Sequence, residues 1–119
     1  MTYEDIIDEI TTKYPDLDIA GFDKECRDDP RGDLKDYQKA FEASLRYIDT
    51  VKVNKTITSR SPSSYGLKHD VERLNMRAGE TIYVPNGVMI AALAWRGVKM
   101  KRSDINAITP ISPKSRFHE

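Results

Sequence analysis

Ser64, His69 and Asp70 are the residue types of a hydrolytic triad: a nucleophile, a base and a carboxylate that orients the base. They fall within seven residues of one another on what reads as a single helix, where they cannot converge on one reacting atom. The Gly-x-Ser-x-Gly turn that presents a nucleophilic serine is missing from the sequence. His69-x-x-Glu72 spans one helical turn and offers two metal ligands. No second such pair exists, so a metal site would need symmetry mates. The simpler reading is a capped helix with a half-exposed histidine. Asp16-x-Asp18-x-x-Gly21-x-Asp23 begins like a calcium loop. It places Ala20 at the fifth position and Arg27 at the twelfth, where a bidentate Glu is required, so it reads as a solvated acidic loop. Cys26, the only cysteine, excludes a disulfide framework and a multi-Cys zinc site. It reads as a small buried hydrophobe rather than a nucleophile. There is no Gly-rich phosphate loop and no cofactor motif. The expectation is a non-enzymatic protein without a cofactor or metal.

Charge is the stronger signal. The 119 residues carry 19 Lys and Arg against 19 Asp and Glu, but unevenly. Residues 1–49 hold seven basic and fourteen acidic side chains, a net of −7, and residues 50–119 hold twelve and five, a net of +7. Either the basic half meets a polyanion, or the two halves neutralise each other within one chain or across a dimer. Arg60, Lys68, Arg73, Arg77, Arg96, Lys99, Lys101 and Arg102 form the candidate nucleic-acid-binding set, with Ser61, Ser63 and Ser64 nearby. Hydroxyls, helix N-termini and cationic side chains are what a phosphate backbone requires. Asp5, Asp8 and Glu9 on the first helix are the candidate protein-binding set. In a homodimer they would face Lys99, Lys101 and Arg102 of the second copy.

These side chains need elements to hold them. Thr2-x-x-Asp5 resembles a capping box, and Tyr3, Ile6, Ile7, Ile10 and Tyr14 follow at helical spacing until Pro15. Leu17, Ile19, Phe22 and Cys26 are spaced for a short helix. Asp33 is placed to cap a second helix carrying Leu34, Tyr37, Phe41, Leu45 and Ile48 on one face, reaching at least Tyr47. Residues 51–57 alternate and are β-branched, which favours a strand or the end of a long helix; residues 58–64 read as a mobile polar linker. Ser63 or Ser64 caps a third helix near 65–74, and 75–80 is a turn. Thr81–Val84 has strand propensity and is a pairing candidate for 51–57. Asn86 is placed to cap a fourth helix, apolar almost all round from Val88 to Trp95, with Gly97 beyond its end. Residues 103–108 read as one more helical turn. The expected fold is mainly α: one compact domain of four to five helices over residues 1–108, with a small two-stranded pairing and a tail at 109–119. Tyr3, Ile6, Ile10, Tyr37, Phe41, Leu45, Leu67, Val71, Leu74, Ile90 and Leu93 are the expected core around the fourth helix. That helix is too apolar to read base edges, and an eleven-residue connector, Asn75 to Pro85, is too long for a helix-turn-helix. Nucleic acid would therefore meet the basic edge. No apolar run spans a membrane. The acidic start Met1-Thr2-Tyr3-Glu4-Asp5 is unlike a secretory signal, so a cytoplasmic setting is expected.

Ser64-Tyr65-Gly66-Leu67-Lys68-His69-Asp70-Val71-Glu72, followed by Tyr83-Val84-Pro85-Asn86-Gly87-Val88-Met89-Ile90-Ala91-Ala92, resembles a recurring pattern. It is found in small bacterial proteins carried by phages, plasmids and other mobile elements: Ser-Tyr-x-Leu-Lys-His-x-x-Glu, then Tyr-x-x-Asn-Gly-x-x-Ile-Ala-Ala. The resemblance covers about residues 63–97. It implies an accessory gene of a mobile element and a bacterial cytoplasm. The group carries no established activity, so no residue role transfers. Tyr65, Leu67, Asn86, Gly87 and Ile90 equally well specify how two helices pack around a capped turn. Two functions remain: binding nucleic acid through the basic C-terminal edge, or docking on a host protein complex as an inhibitor or adaptor, for example an anti-defence or anti-CRISPR-type factor.

Overall fold

In the structure, a computed structural model, residues 1–23 and 29–118 are described; Cys26 and Arg27, named above, lie outside them. Helix α1 (Tyr3–Lys13) starts from a complete capping box: the Asp5 N–H donates to Thr2 Oγ1, and the Thr2 N–H donates to the Asp5 carboxylate. It is followed by a tight hairpin of β1 (Leu17–Asp18) and β2 (Gly21–Phe22), paired Leu17 to Phe22. A hairpin thus replaces the short helix expected there, while Leu17, Ile19 and Phe22 are buried as their apolar character requires. Asp33 does cap a helix, but only a 3-10 turn over Leu34–Asp36, with Asp36 closing a capping box onto the Asp33 N–H. The backbone breaks at Tyr37, and α2 (Gln38–Ile48) begins without a side-chain cap.

Helix α3 (Ser64–Arg77) is capped by Ser63, whose Oγ accepts the Gly66 N–H. It runs three residues past the expected end, and Leu74, expected in the core, faces solvent instead. Helix α4 (Asn86–Trp95) is the centre of the molecule. It packs against α1, α2, α3 and both hairpins, and Val88 through Leu93 are completely buried. An apolar circumference has no solvent face to offer, so neighbours must cover every side of it. Arg96 caps its end and Gly97 follows in the left-handed region, φ 72°.

Strands β3 (Lys101–Ser103) and β4 (Asn106–Ile108) form a second antiparallel hairpin, with Lys101 opposite Ile108. This corrects the helical turn expected at 103–108. The two-stranded pairing expected between 51–57 and 81–84 is also replaced. Val53 bridges to Ile111 and Ser63 to Ile108, so the segment after β4 pairs with the connector between α2 and α3. Residues 58–64 are therefore tied in, with the Thr109 N–H donating to the Pro62 carbonyl. Thr109, Pro110 and Ile111 are buried, so the stretch read as a tail is part of the packed domain. The fold is mainly α with two small antiparallel hairpins.

Candidate functional site

The starts of α3 and α4 meet at one place. Ser63 takes the cap of α3, which puts Ser64 inside the first turn with its hydroxyl fully buried. Ser64 Oγ donates to Asn86 Oδ1 at 2.8 Å and accepts the Ala107 N–H at 3.1 Å. Asn86 does not cap α4; Pro85 holds that position. Instead, Asn86 Nδ2 donates to the Ala20 carbonyl at 3.0 Å and to Asn106 Oδ1 at 2.9 Å. One serine and one asparagine thus join the starts of α3 and α4 to both hairpins. Such a network holds only when every buried polar atom is satisfied, and among the described residues none is left without a partner.

Above this joint, Tyr65, Lys68, His69 and Glu72 share one face of α3, at steps of three and four residues. Lys68 is 6% exposed, and its Nζ lies 3.3 Å from both Glu72 carboxylate oxygens. Glu72 also accepts the Val84 N–H at 3.0 Å, and His69 Nδ1 sits 3.0 Å from its other oxygen. The Lys68 ammonium stands 5.5 Å from the ring centre of Tyr65 and 5.2 Å from that of Tyr83, within cation–π range. Each ring is braced: His69 meets Tyr65 edge-on at 4.6 Å, and Tyr37 meets Tyr83 edge-on at 6.2 Å. Arg31 Nη1 donates to the Tyr83 hydroxyl at 3.3 Å, and the Tyr37 hydroxyl donates to the Arg31 carbonyl at 2.6 Å. Hydrogen bonds from Arg31 to Asp29 and Tyr83 push its pKa further up, so its charge is permanent. Burial pushes the Tyr37 phenol up, so it stays a neutral donor. The result is a cleft of about 370 Å³ lined by Ala20, Arg31, Tyr65, Lys68, Tyr83, Asn86 and Ile105.

The eight candidate cationic residues divide sharply. Lys68 is buried in this cleft. Arg96 is bidentate on Asp49 at 2.8 Å, and Arg102 pairs with Asp16 and lies 4.2 Å over the Phe22 ring. Both pairs join the acidic half to the basic half within one chain, so part of the charge asymmetry is neutralised internally. Arg73 lies 3.7 Å from Asp70, and Arg77 lies 6.0 Å over the Phe117 ring. Arg60, Lys99 and Lys101 are exposed and have no ion-pair partner among the described residues. Lys52 and Lys55, which the sequence reading left out, are likewise exposed. Of the acidic set, Asp5 serves the capping box, and its bond from the Thr2 N–H lowers its pKa. Asp8 pairs with Lys35 at 2.7 Å, and Glu9 is exposed beside a shallow pocket with Lys13, Tyr14 and Trp95.

The structure keeps Ser64, His69 and Asp70 apart: Ser64 is on Asn86, His69 on Glu72, and Asp70 on a separate network. Asp70 is 1% exposed and accepts from the Arg116 guanidinium at 2.8 and 3.0 Å and from the Tyr47 hydroxyl at 2.8 Å. Among the described residues no three His, Cys, Asp or Glu side chains are grouped to hold a metal ion, and no helix is long and apolar enough to cross a membrane. Sequence reasoning missed Arg31 and the meeting of Tyr65 with Tyr83. No local signal links the two tyrosines, which lie eighteen positions apart, one on α3 and the other in the connector to α4. No family model, no curated protein and no solved structure matches this chain.

Proposed function

We propose that this chain is a small non-enzymatic accessory protein of a bacterial mobile element that binds nucleic acid through its basic C-terminal edge. The mobile-element setting rests on the resemblance of residues 63–97. The binding reading rests on one observation: five exposed cations without an ion-pair partner among the described residues, Arg60, Lys99, Lys101, Lys52 and Lys55, lie on or within three residues of one irregular β ladder. Lys101 is opposite Ile108, and Ile108 is opposite Ser63, so these three sit side by side at strand spacings of roughly 5 Å. Arg60 leaves the ladder three residues before Ser63. Lys52 and Lys55 flank Val53, which bridges to Ile111 on the same segment. Exposed, unpaired and closely spaced cations gain by displacing counterions from a phosphate backbone. Arg96 and Arg102 have carboxylates already and contribute less.

The test is a titration of a labelled duplex and a labelled single strand between about 50 and 200 mM salt. With three to five phosphate contacts, the expected slope of log affinity against log salt is roughly −3 to −4.5 for the duplex and roughly −2 to −3.5 for the single strand. Reversing Arg60, Lys99 and Lys101 together to Glu should abolish binding, whereas Arg96→Glu should reduce it little. No binding at about 50 mM salt, or binding indifferent to the triple reversal, overturns the proposal. A protein partner captured from bacterial lysate and retained after nuclease treatment would then support docking on a host complex instead.

A further inference from the structure

The tyrosine-walled cleft has no task in the electrostatic reading above. Tyr65 is 53% and Tyr83 46% exposed, although both rings are held in place by aromatic neighbours. Fixed, half-exposed aromatic faces are stacking surfaces whose ordering cost is already met on folding. The cleft floor decides what stacks there. Glu72 balances the charge of Lys68, so the floor is not a trap for a bare anion. An ammonium carries three donors, and among the described residues Glu72 is the only hydrogen-bond acceptor that Lys68 Nζ reaches. The third N–H has no acceptor among the described residues, and Nζ stands beside both the Tyr65 and the Tyr83 ring. A planar ring with a carbonyl or ring-nitrogen acceptor satisfies that donor and both faces together.

The position of the cleft matches the ladder. Ile105, in the turn between β3 and β4, lines the cleft, and Lys101 stands on β3 of the same hairpin. A strand whose phosphates track past Lys101 brings its next bases to the cleft mouth, where the Arg31 guanidinium is held in place by its ion pair with Asp29. At about 370 Å³ the space is large enough to admit a base. A base inside a duplex has no free face to offer. Resting on the nucleic-acid reading above, we propose that the Tyr65–Lys68–Tyr83 cleft binds an unpaired nucleobase, making this a single-strand-selective protein.

The experiment compares a labelled oligothymidylate with a duplex of equal length by fluorescence anisotropy. The variants are Tyr65→Ala, Tyr83→Ala, their Phe counterparts and the Arg60/Lys99/Lys101 reversal, each first checked for an unchanged thermal transition. The single strand should bind at least about 10-fold more tightly, and each Tyr→Ala should weaken it roughly 5- to 100-fold, the worth of one stacked base. The Phe variants should stay within about 3-fold, since they keep the stacking face. Duplex affinity and the salt slope should not move, because no phosphate contact is lost. If the charge reversal abolishes binding while the Tyr→Ala variants bind the single strand as the parent does, the base site is wrong and the nucleic-acid reading stands. If neither polymer binds, both fall.

Discussion

Replacing Gly87 by alanine sets two physical effects against each other. Gly87 is in the first turn of α4, and alanine is favoured over glycine in a helix by about 1 kcal/mol. Local propensity therefore predicts a more stable protein. The tertiary structure predicts the opposite. A Cβ at position 87 would lie 1.7 Å from the Asp18 carbonyl oxygen and 2.8 Å from its carbon. These are backbone atoms at the end of β1, so no rotamer change relieves the clash. Either α4 or the hairpin must retreat by more than an ångström. The contacts that dock them are short: the Gly87 N–H donates to the Ile19 carbonyl at 3.0 Å, and Asn86 Nδ2 to the Ala20 carbonyl at 3.0 Å. Losing these two bonds costs about 1 kcal/mol each, and overpacking costs about 1–3 kcal/mol more. After subtracting the propensity gain, the expected net loss is about 2–4 kcal/mol. For a chain of this length that lowers Tm by roughly 10 °C. Gly66→Ala is the matched control. It is also in a first helical turn, but its Cβ would meet only a side-chain atom, Arg116 Nη2, at 3.2 Å, which needs to give by no more than a few tenths of an ångström. Its expected effect is within about 1 kcal/mol. Thermal and urea unfolding of both variants measures the difference. A Gly87→Ala protein with an unchanged or higher Tm would refute the close approach of α4 to the hairpin.

Two further outcomes are expected. Asp70→Ala strips the shared acceptor from Arg116 and Tyr47, which should cost about 3 kcal/mol, as for a broken buried ion pair, and should speed proteolysis within 112–118; unfolding curves and timed digestion check both, and parent-like behaviour would show that the C-terminal segment is held otherwise. Burial, reinforced by the Asp70 carboxylate beside it, pushes the Tyr47 phenol up to about 12, so the folded chain keeps a proton that the unfolded chain releases near pH 10. Stability should therefore fall as pH rises from about 10 to 12. Tyr47→Phe should make that decline shallower, leaving the contribution of Tyr3, whose phenol is also raised by burial; an identical decline in the variant would contradict it.

Much of the fold is legible locally because local physics decides it. The capping box of α1, the Ser63 cap of α3, Gly97 after α4 and the burial of α4 all follow from side chains within a few residues of the position concerned. The errors lie where a remote partner outweighs propensity. Residues 51–57 have strand character, but a strand needs an edge, and the edge they find is Ile111 rather than 81–84. Residues 103–108 have no pattern that announces a hairpin; Phe22 settles it from a distance by donating its N–H to the Ile105 carbonyl. Asn86 has the chemistry of a cap, yet the buried Ser64 hydroxyl and the Ala20 carbonyl draw it inward.

The same division holds for the candidate site. Sequence alone determined that the chain has a basic half, that one helix carries Tyr65, Lys68 and Glu72, and that α4 must be enclosed. Which cations stay free was decided only by the fold. Arg96 and Arg102 look no different from Lys99 and Lys101 along the chain, but they come to rest beside Asp49 and Asp16. Charge pairing depends on distance through space over a few ångströms, and residues 86 positions apart in sequence gain that proximity only when the chain is folded.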